Sequence, residues 1–130
     1  MKEETNIIMI IDDSLIDQML TTHVINKSMA DKELLVMQSA YEALAYLKRN
    51  EGNPGAIPSL ILLDLDMPGM NGFEFMQQFK MLSPSLTATC RVIVITGSDI
   101  PADVELIQAD PYVSKLITKP LCKNELIPII

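Results

Sequence analysis

The chain has 130 residues, of which 48% are hydrophobic, and a formal net charge of −7 at pH 7. This length is typical of one domain with its own buried core. No apolar run approaches the roughly 18 residues of a membrane span, and the amino terminus lacks a signal-peptide pattern. An acidic chain without a basic cluster is poorly suited to nucleic acid. We therefore expect a single cytoplasmic domain, residues 1–130, with no membrane or direct nucleic-acid contact.

The cysteines support this interpretation. Cys90 and Cys122 are far apart and form no C-x-x-C pair, which does not favour a redox role. We interpret both as buried thiols in a reducing compartment.

Strand and helix patterns alternate five times along the chain. In chain order the predicted elements are strand 6–11, helix 15–27, strand 33–37, helix 41–50, strand 60–63, helix 73–81, strand 91–95, helix 103–108, strand 113–118 and helix 124–127. Ser14 and Ser39 are the predicted amino-terminal caps of the first two helices. The dipeptide Ser83-Pro84 is predicted to end the third helix. Such alternation predicts an α/β fold, with a parallel sheet between two layers of helices.

The segment around Asp64 is the most informative part of the sequence. Leu60 to Leu63 run directly into Asp64, and a loop rich in Pro, Gly and Asn follows as far as Gly72. Such an apolar run is typical of a strand buried on both faces of a parallel sheet. Asp64 would then stand at the carboxyl edge, where open α/β sheets bind ligands. The next helical pattern starts only near Asn71, so a metal ligand or a nucleophile is favoured over a helix cap.

Polar residues also follow other predicted strands at their carboxyl ends. Asp12 and Asp13 follow the first strand, Thr96 the fourth and Lys119 the fifth. Together with Asp64, three carboxylates would repel one another by about 4 kcal/mol per pair at about 4 Å for an effective dielectric near 20. A cation or a proton relieves this repulsion. Oxygen ligands alone suit Mg²⁺, and a hydroxyl and an ammonium beside it would hold a phosphoryl group.

With these residues the chain resembles the CheY-like receiver domains of two-component response regulators. The resemblance spans residues 6 to about 127. It is carried by Asp12-Asp13, the Leu-Leu-Asp-x-x-Met-Pro-x-x-x-Gly stretch ending at Gly72, Thr96-Gly97, and Lys119-Pro120. It implies a flavodoxin-like (βα)5 three-layer sandwich with a five-stranded parallel sheet in the order 2-1-3-4-5. It further implies a phosphoacceptor that promotes its own phosphorylation and dephosphorylation, rather than an enzyme acting on other molecules.

The resemblance also implies a role for each residue at the sheet edge. Asp64 would accept a phosphoryl group from the phosphohistidine of a sensor histidine kinase or a histidine phosphotransfer protein. Mg²⁺, with Mn²⁺ as an alternative, would be held by Asp12, Asp13, Asp64 and the backbone carbonyl of Asp66. The phosphoryl oxygens would be bound by Thr96, Gly97 and Lys119. A downstream protein would then read a change in the surface formed by the fourth helix, the fifth strand and the last helix.

Some positions depart from the family pattern. The family often has an aromatic residue three positions before the lysine, where this chain has Leu116, so an aromatic ring flip cannot carry the signal. Asp66 adds an acidic side chain at the mouth of the site, either as a solvated loop charge or as a group that tunes access of the hydrolytic water. The Lys119-Pro120 peptide bond is usually cis in the family, a form tolerated mainly before proline.

Two other interpretations are open. Asp64-Leu65-Asp66 also resembles the opening motif of haloacid-dehalogenase-type phosphatases, but these need an acidic pair after the lysine, and only Glu125 follows Lys119 here. A receiver-shaped docking module that is never phosphorylated would have the same fold. The presence of all the key polar residues favours phosphorylation.

Overall fold

Strands and helices alternate throughout the computed structural model, which describes residues 5–28, 31–97 and 101–119. The strands are β1 (Ile7–Ile11), β2 (Glu33–Met37), β3 (Leu60–Asp64), β4 (Arg91–Thr96) and β5 (Val113–Thr118). The helices are α1 (Leu15–Ser28), α2 (Ala40–Arg49), α3 (Gly72–Phe79), α4 (Pro84–Thr89) and α5 (Pro101–Gln108), with a 3-10 turn at Pro54–Ala56. The predicted last helix, 124–127, lies outside the described residues. None of the helices in the described ranges is long and apolar enough to cross a membrane.

The five strands form one sheet in the order β2-β1-β3-β4-β5, and every neighbouring pair is parallel. This confirms the predicted strand order and the flavodoxin-like architecture. In the register of the sheet, Asp64 lies beside Ile95, and Thr96 lies beside Thr118. The carboxyl ends of the central strands therefore meet at one edge.

Two apolar layers hold the helices against the sheet. On one face, Met9 and Ile11 pack with buried residues of α2, α3, α4 and α5. On the other face, Ile8 and Ile10 pack with Ile25 of α1. The alternation follows from the two-residue period of a strand, and each fully buried side chain of this size contributes about 1.5–3 kcal/mol. The central strands are thereby buried on both sides, and their polar ends are held at fixed positions.

The helix α4 is a correction to the sequence prediction. Ser83-Pro84 was expected only to end the third helix, which in the structure already ends at Phe79. Instead, Pro84 begins a further short helix and places Leu86 in the core. Proline suits the first position of a helix, because the N–H it lacks would have no partner there and its φ is already helical.

The loop that follows Asp64 is held by a helix cap and a close backbone approach. Asn71 caps α3 in a capping box: its side-chain oxygen accepts the N–H of Glu74, and the Glu74 carboxylate accepts the N–H of Asn71 in return. A Cβ on Gly72 would lie 2.9 Å from the Cα of Leu65, so only glycine fits here without a backbone shift. The positive φ of Gly69, 76°, supplies the turn in between. This loop therefore returns to the end of β3 and holds it in place.

Candidate functional site

Four elements deliver polar side chains to the carboxyl edge of the sheet. Asp12 follows directly after β1, Asp64 ends β3, Thr96 ends β4, and Lys119 comes directly after β5. Asp12, Asp64 and Thr96 are buried, with 5%, 4% and 1% of their surface exposed. The structure thus brings these residues, all predicted at strand ends, together at one edge of the sheet.

The cluster contains three carboxylates. Single oxygen atoms of Asp12, Asp13 and Asp64 all lie within 4.8 Å of one another. Asp13 is exposed to solvent, unlike the other two. These donors are all carboxylate oxygens, which fits a hard divalent cation such as Mg²⁺ or Mn²⁺. The side chain of Asp66 is exposed beside this group.

The amino end of α1 orients Asp12. The N–H of Ser14 donates to Asp12 Oδ1 over 2.9 Å, and the side-chain amide of Gln18 donates to the Asp12 carbonyl over 2.6 Å. Ser14 also caps α1, as predicted, since its hydroxyl accepts the N–H of Asp17 over 3.3 Å. One oxygen of Asp12 is therefore bound to the backbone, and the other, Oδ2, lies toward the ammonium of Lys119.

Within the described ranges, Lys119 contacts three carboxylates. Its Nζ lies 3.4 Å from Asp12 Oδ2, 3.4 Å from Asp64 Oδ1 and 2.6 Å from Asp17 Oδ2. Its backbone N–H donates to the carbonyl of Thr96 over 2.8 Å, which fixes the start of the side chain. Burial opposes the charge of the ammonium, but the hydrogen bond to Asp17 and the charges of Asp64 and Asp12 outweigh burial and raise the pKa of Lys119 above its ordinary value.

Asp17 is the residue of this site that the sequence analysis missed. Only residues at strand ends were considered there, whereas Asp17 lies in the first turn of α1. Its position shortly after β1 in the sequence was the available signal, because a residue early in the helix that follows β1 lies near the same edge of the sheet. Asp17 adds a fourth carboxylate to a site whose only described ammonium is that of Lys119, which leaves the site with excess negative charge.

The protonation equilibrium of the Asp64 carboxylate is strongly perturbed. Burial, followed by the charge of Asp12, raises the pKa of Asp64 from 3.8 to about 6. The ammonium of Lys119 and the N–H of Asp66, which donates to Asp64 Oδ1 over 3.3 Å, act in the opposite direction. Near neutral pH Asp64 is thus mainly ionised but poorly compensated, a state that an added cation would stabilise.

Thr96 and Gly97 line the fourth-strand side of the site. The hydroxyl of Thr96 donates to Asp66 Oδ2 over 3.4 Å. Among the described residues, the nearest atom to a Cβ on Gly97 would be the Cδ of Lys119 at 4.0 Å. Packing against these residues therefore does not require glycine at position 97. Leu116 is half-buried against the larger core layer, while residues 98–100 and Pro120 lie outside the described residues.

Cys90 lies away from this site. It precedes β4 at the amino edge of the sheet, where its thiol donates to the carbonyl of Pro58 over 3.0 Å. Burial raises the pKa of the Cys90 thiol to about 12, which makes it unreactive. The prediction of a buried thiol is confirmed for Cys90, and Cys122 lies outside the described residues.

Comparison with known sequences identifies the family. The sequence model of the response regulator receiver domain matches residues 8–130. The response regulator Rcp1 of a Synechocystis species is 32% identical over 115 residues, which are 82% of this chain and 76% of that protein. A protein-glutamate methylesterase/protein-glutamine glutaminase of Rhodopseudomonas palustris is 30% identical over 93 residues, but the match covers only 24% of its length. That match does not reach the greater part of the methylesterase.

Solved structures agree with the sequence matches. A two-component response regulator from Cytophaga hutchinsonii has a TM-score of 0.87 at 27% identity, and the match covers 98% of this chain and 95% of that one. The Mn²⁺-bound form of Rcp1 has a TM-score of 0.73 at 30% identity, with 95% and 87% covered. These findings favour the receiver over the phosphatase interpretation. With a family match over nearly its whole length and an acidic cluster at the expected sheet edge, the chain belongs to the response regulator receiver domain family.

Proposed function

We propose that residues 1–130 form one receiver domain that accepts a phosphoryl group on Asp64 from the phosphohistidine of a histidine kinase or phosphotransfer protein. The observation that carries this proposal is the environment of the Asp64 carboxylate. It is buried beside the carboxylates of Asp12 and Asp13, and one of its oxygens lies 3.4 Å from the ammonium of Lys119. Membership of the receiver family supports the same assignment.

The transfer itself needs few groups. An oxygen of Asp64 attacks the phosphorus, the bond from phosphorus to the imidazole nitrogen breaks, and the imidazole leaves with the electron pair of that bond. The product is an acyl phosphate, which water later hydrolyses to free phosphate and the original carboxylate. Because the protein mainly supplies position and countercharge in such reactions, we assign the new phosphoryl oxygens to Lys119, the Thr96 hydroxyl and the Gly97 N–H.

We assign the divalent cation to the carboxylates of Asp12, Asp13 and Asp64 and to the backbone carbonyl of Asp66. The support for a cation is the donor set of the cluster, which contains oxygens alone, together with the Mn²⁺-bound form of the similar Rcp1. Mg²⁺ is the proposed ion, with Mn²⁺ as an alternative. When bound, it would offset the negative charge of the acceptor and of the phosphoryl oxygens.

The output surface is proposed to lie on α5, β5 and the last helix. A phosphoryl group on Asp64 would draw the Thr96 hydroxyl away from Asp66, and this movement would shift the loop that joins β4 to α5. Leu116 packs into the core without an aromatic ring, so the change takes the form of a loop and helix movement. A downstream protein that prefers this form would select it.

Incubation with acetyl phosphate and Mg²⁺, followed by intact-mass measurement, tests the acceptor. The wild-type protein is expected to gain the mass of one phosphoryl group, and Asp64→Asn is expected to gain none. Asp66→Asn is the matched control, because it removes a nearby but exposed carboxylate and should leave the mass gain intact. A mass gain in Asp64→Asn would overturn the assignment. No gain in the wild type would instead indicate a docking module that is never phosphorylated.

A further inference from the structure

Among the residues that the structure describes, the shortest ion pair of Lys119 is with Asp17 and not with the candidate acceptor. Nζ lies 2.6 Å from Asp17 Oδ2, but 3.4 Å from both Asp64 Oδ1 and Asp12 Oδ2. The first distance is that of a strong charge-assisted hydrogen bond. The other two exceed the usual range for N–H···O bonds. The ammonium is therefore held on the α1 side of the site.

Both ends of this contact are attached to fixed backbone. The N–H of Asp17 donates to the cap residue Ser14 over 3.3 Å, and the N–H of Lys119 donates to the Thr96 carbonyl over 2.8 Å. The two side chains are 32% and 22% exposed, so water screens the pair less than it would on an open surface. Only side-chain rotation is needed to move the ammonium between Asp17 and Asp64.

We propose that Asp17 is a positioning residue that holds Lys119 back from Asp64 until a phosphoryl group arrives, whereupon the ammonium leaves Asp17 for the phosphoryl oxygens. This inference rests on the proposed role of Asp64. The new anion offers Lys119 a stronger partner than the carboxylate of Asp17, and moving onto the phosphoryl oxygens lengthens or breaks the 2.6 Å bond to Asp17.

The ion pair between Asp17 and Lys119 also affects the cation site. With its ammonium bound to Asp17, Lys119 neutralises Asp64 and Asp12 less than it would at closer range, which leaves these carboxylates available to a divalent cation. Without Asp17, the freed ammonium would approach both carboxylates and compete with Mg²⁺. Removal of Asp17 should therefore have opposite effects on the two ligands: tighter binding of a phosphoryl mimic, and weaker binding of Mg²⁺.

The test is a pair of titrations on Asp17→Asn. Beryllofluoride, a phosphoryl mimic, is titrated at saturating Mg²⁺, and Mg²⁺ alone is titrated in a separate experiment. For a partly exposed ion pair we expect beryllofluoride to bind about two- to fivefold tighter, and Mg²⁺ to bind about two- to fivefold more weakly. Asp17→Glu, which keeps the charge, should return both affinities toward wild type. Glu33→Gln removes one exposed charge at the opposite edge of the sheet and should change neither.

A double-mutant cycle shows whether the effect passes through the lysine. In a Lys119→Met background, adding Asp17→Asn should leave the beryllofluoride affinity unchanged, because the group that Asp17 positions is gone. An unchanged beryllofluoride affinity in Asp17→Asn alone, or weaker binding of both ligands, would overturn the role of Asp17 while leaving Asp64 as acceptor. Failure of the wild-type protein to bind beryllofluoride would overturn the proposed function, and this inference with it.

Discussion

The hydroxyl of Thr96 donates to the carboxylate of Asp66, with 3.4 Å between Oγ1 and Oδ2. Thr96 is 1% exposed at the end of β4, while the side chain of Asp66, on the loop after β3, is exposed to solvent. The N–H of Asp66 in turn donates to Asp64. Asp66, whose side chain was expected to be either a solvated charge or a tuning group, thus contacts the proposed switch residue through its carboxylate and the proposed acceptor through its backbone N–H. Thr96 must leave Asp66 to bind a phosphoryl oxygen.

The first prediction concerns the signal. Thr96→Ala removes the hydroxyl but not the acceptor, so the protein should still bind beryllofluoride while the amide shifts at residues 98–108 are largely lost. The NMR spectra of free and beryllofluoride-bound protein report this. Thr89→Ala removes a hydroxyl before the amino end of β4 and should leave the shifts in place. Intact shifts at 98–108 in Thr96→Ala would show that the coupling does not pass through this hydroxyl.

The second prediction concerns the metal. Mg²⁺ binds the native cluster and relieves repulsion that the unfolded chain does not have, so it should raise the melting temperature. At a free concentration 100 times the dissociation constant, the stabilisation is about 2.7 kcal/mol. Asp13→Ala should weaken Mg²⁺ binding and raise the metal-free melting temperature slightly, since Asp13 is exposed. An unchanged Mg²⁺ affinity in this variant would exclude Asp13 as a ligand.

The third prediction concerns pH in the absence of metal. Asp64 has a pKa of about 6 in the folded protein and 3.8 as an ordinary aspartate. Between these values the folded protein binds more protons than the unfolded chain, so the free energy of unfolding should fall as pH rises from about 4 to about 6. The loss is at most about 3 kcal/mol. This loss of stability should be complete at pH values well above the pKa of Asp64 in the folded protein.

Asp64→Asn isolates this effect, because asparagine resembles the protonated acid. In EDTA, urea unfolding should show the variant gaining stability over the wild type as pH rises through the same range, with a constant difference above it. Lowering the pH should bring the free energy of unfolding of the wild type back toward that of the variant. A difference in stability that does not change with pH would show that the charge of Asp64 does not destabilise the folded protein.

The fourth prediction concerns Gly97. In the part of the chain that the structure describes, a Cβ at this position meets no atom closer than 4.0 Å, so Gly97→Ala should melt at nearly the wild-type temperature. If the Gly97 N–H is to meet a phosphoryl oxygen, the added methyl group should nonetheless weaken beryllofluoride binding. Gly52→Ala, at a position with nothing within 4 Å, is the matched control and should bind beryllofluoride normally. Equal affinities in the two variants would remove Gly97 from the phosphoryl site.

Local patterns in the sequence were sufficient for most of the fold. The bounds of β2 and β5 were predicted correctly, and Ser39 caps α2 as expected, because strand period and cap chemistry depend on neighbours along the chain. The clustering of Asp64 with polar residues from other strands could also be predicted from the sequence, because parallel strands end at the same edge of the sheet. The helix α4 was missed because Pro84 can end one helix or begin the next, and its environment decides between them.

Only the tertiary structure revealed the contact between Asp17 and Lys119, whose residues are 102 positions apart. The same holds for the raised pKa of Asp64 and for the bond from Thr96 to Asp66. The physical reason is that periodicity acts between residues close in sequence, whereas desolvation and Coulomb interactions depend on distances through space. The sequence therefore determines which charges reach this edge of the sheet, but the packed fold decides which carboxylate holds the ammonium.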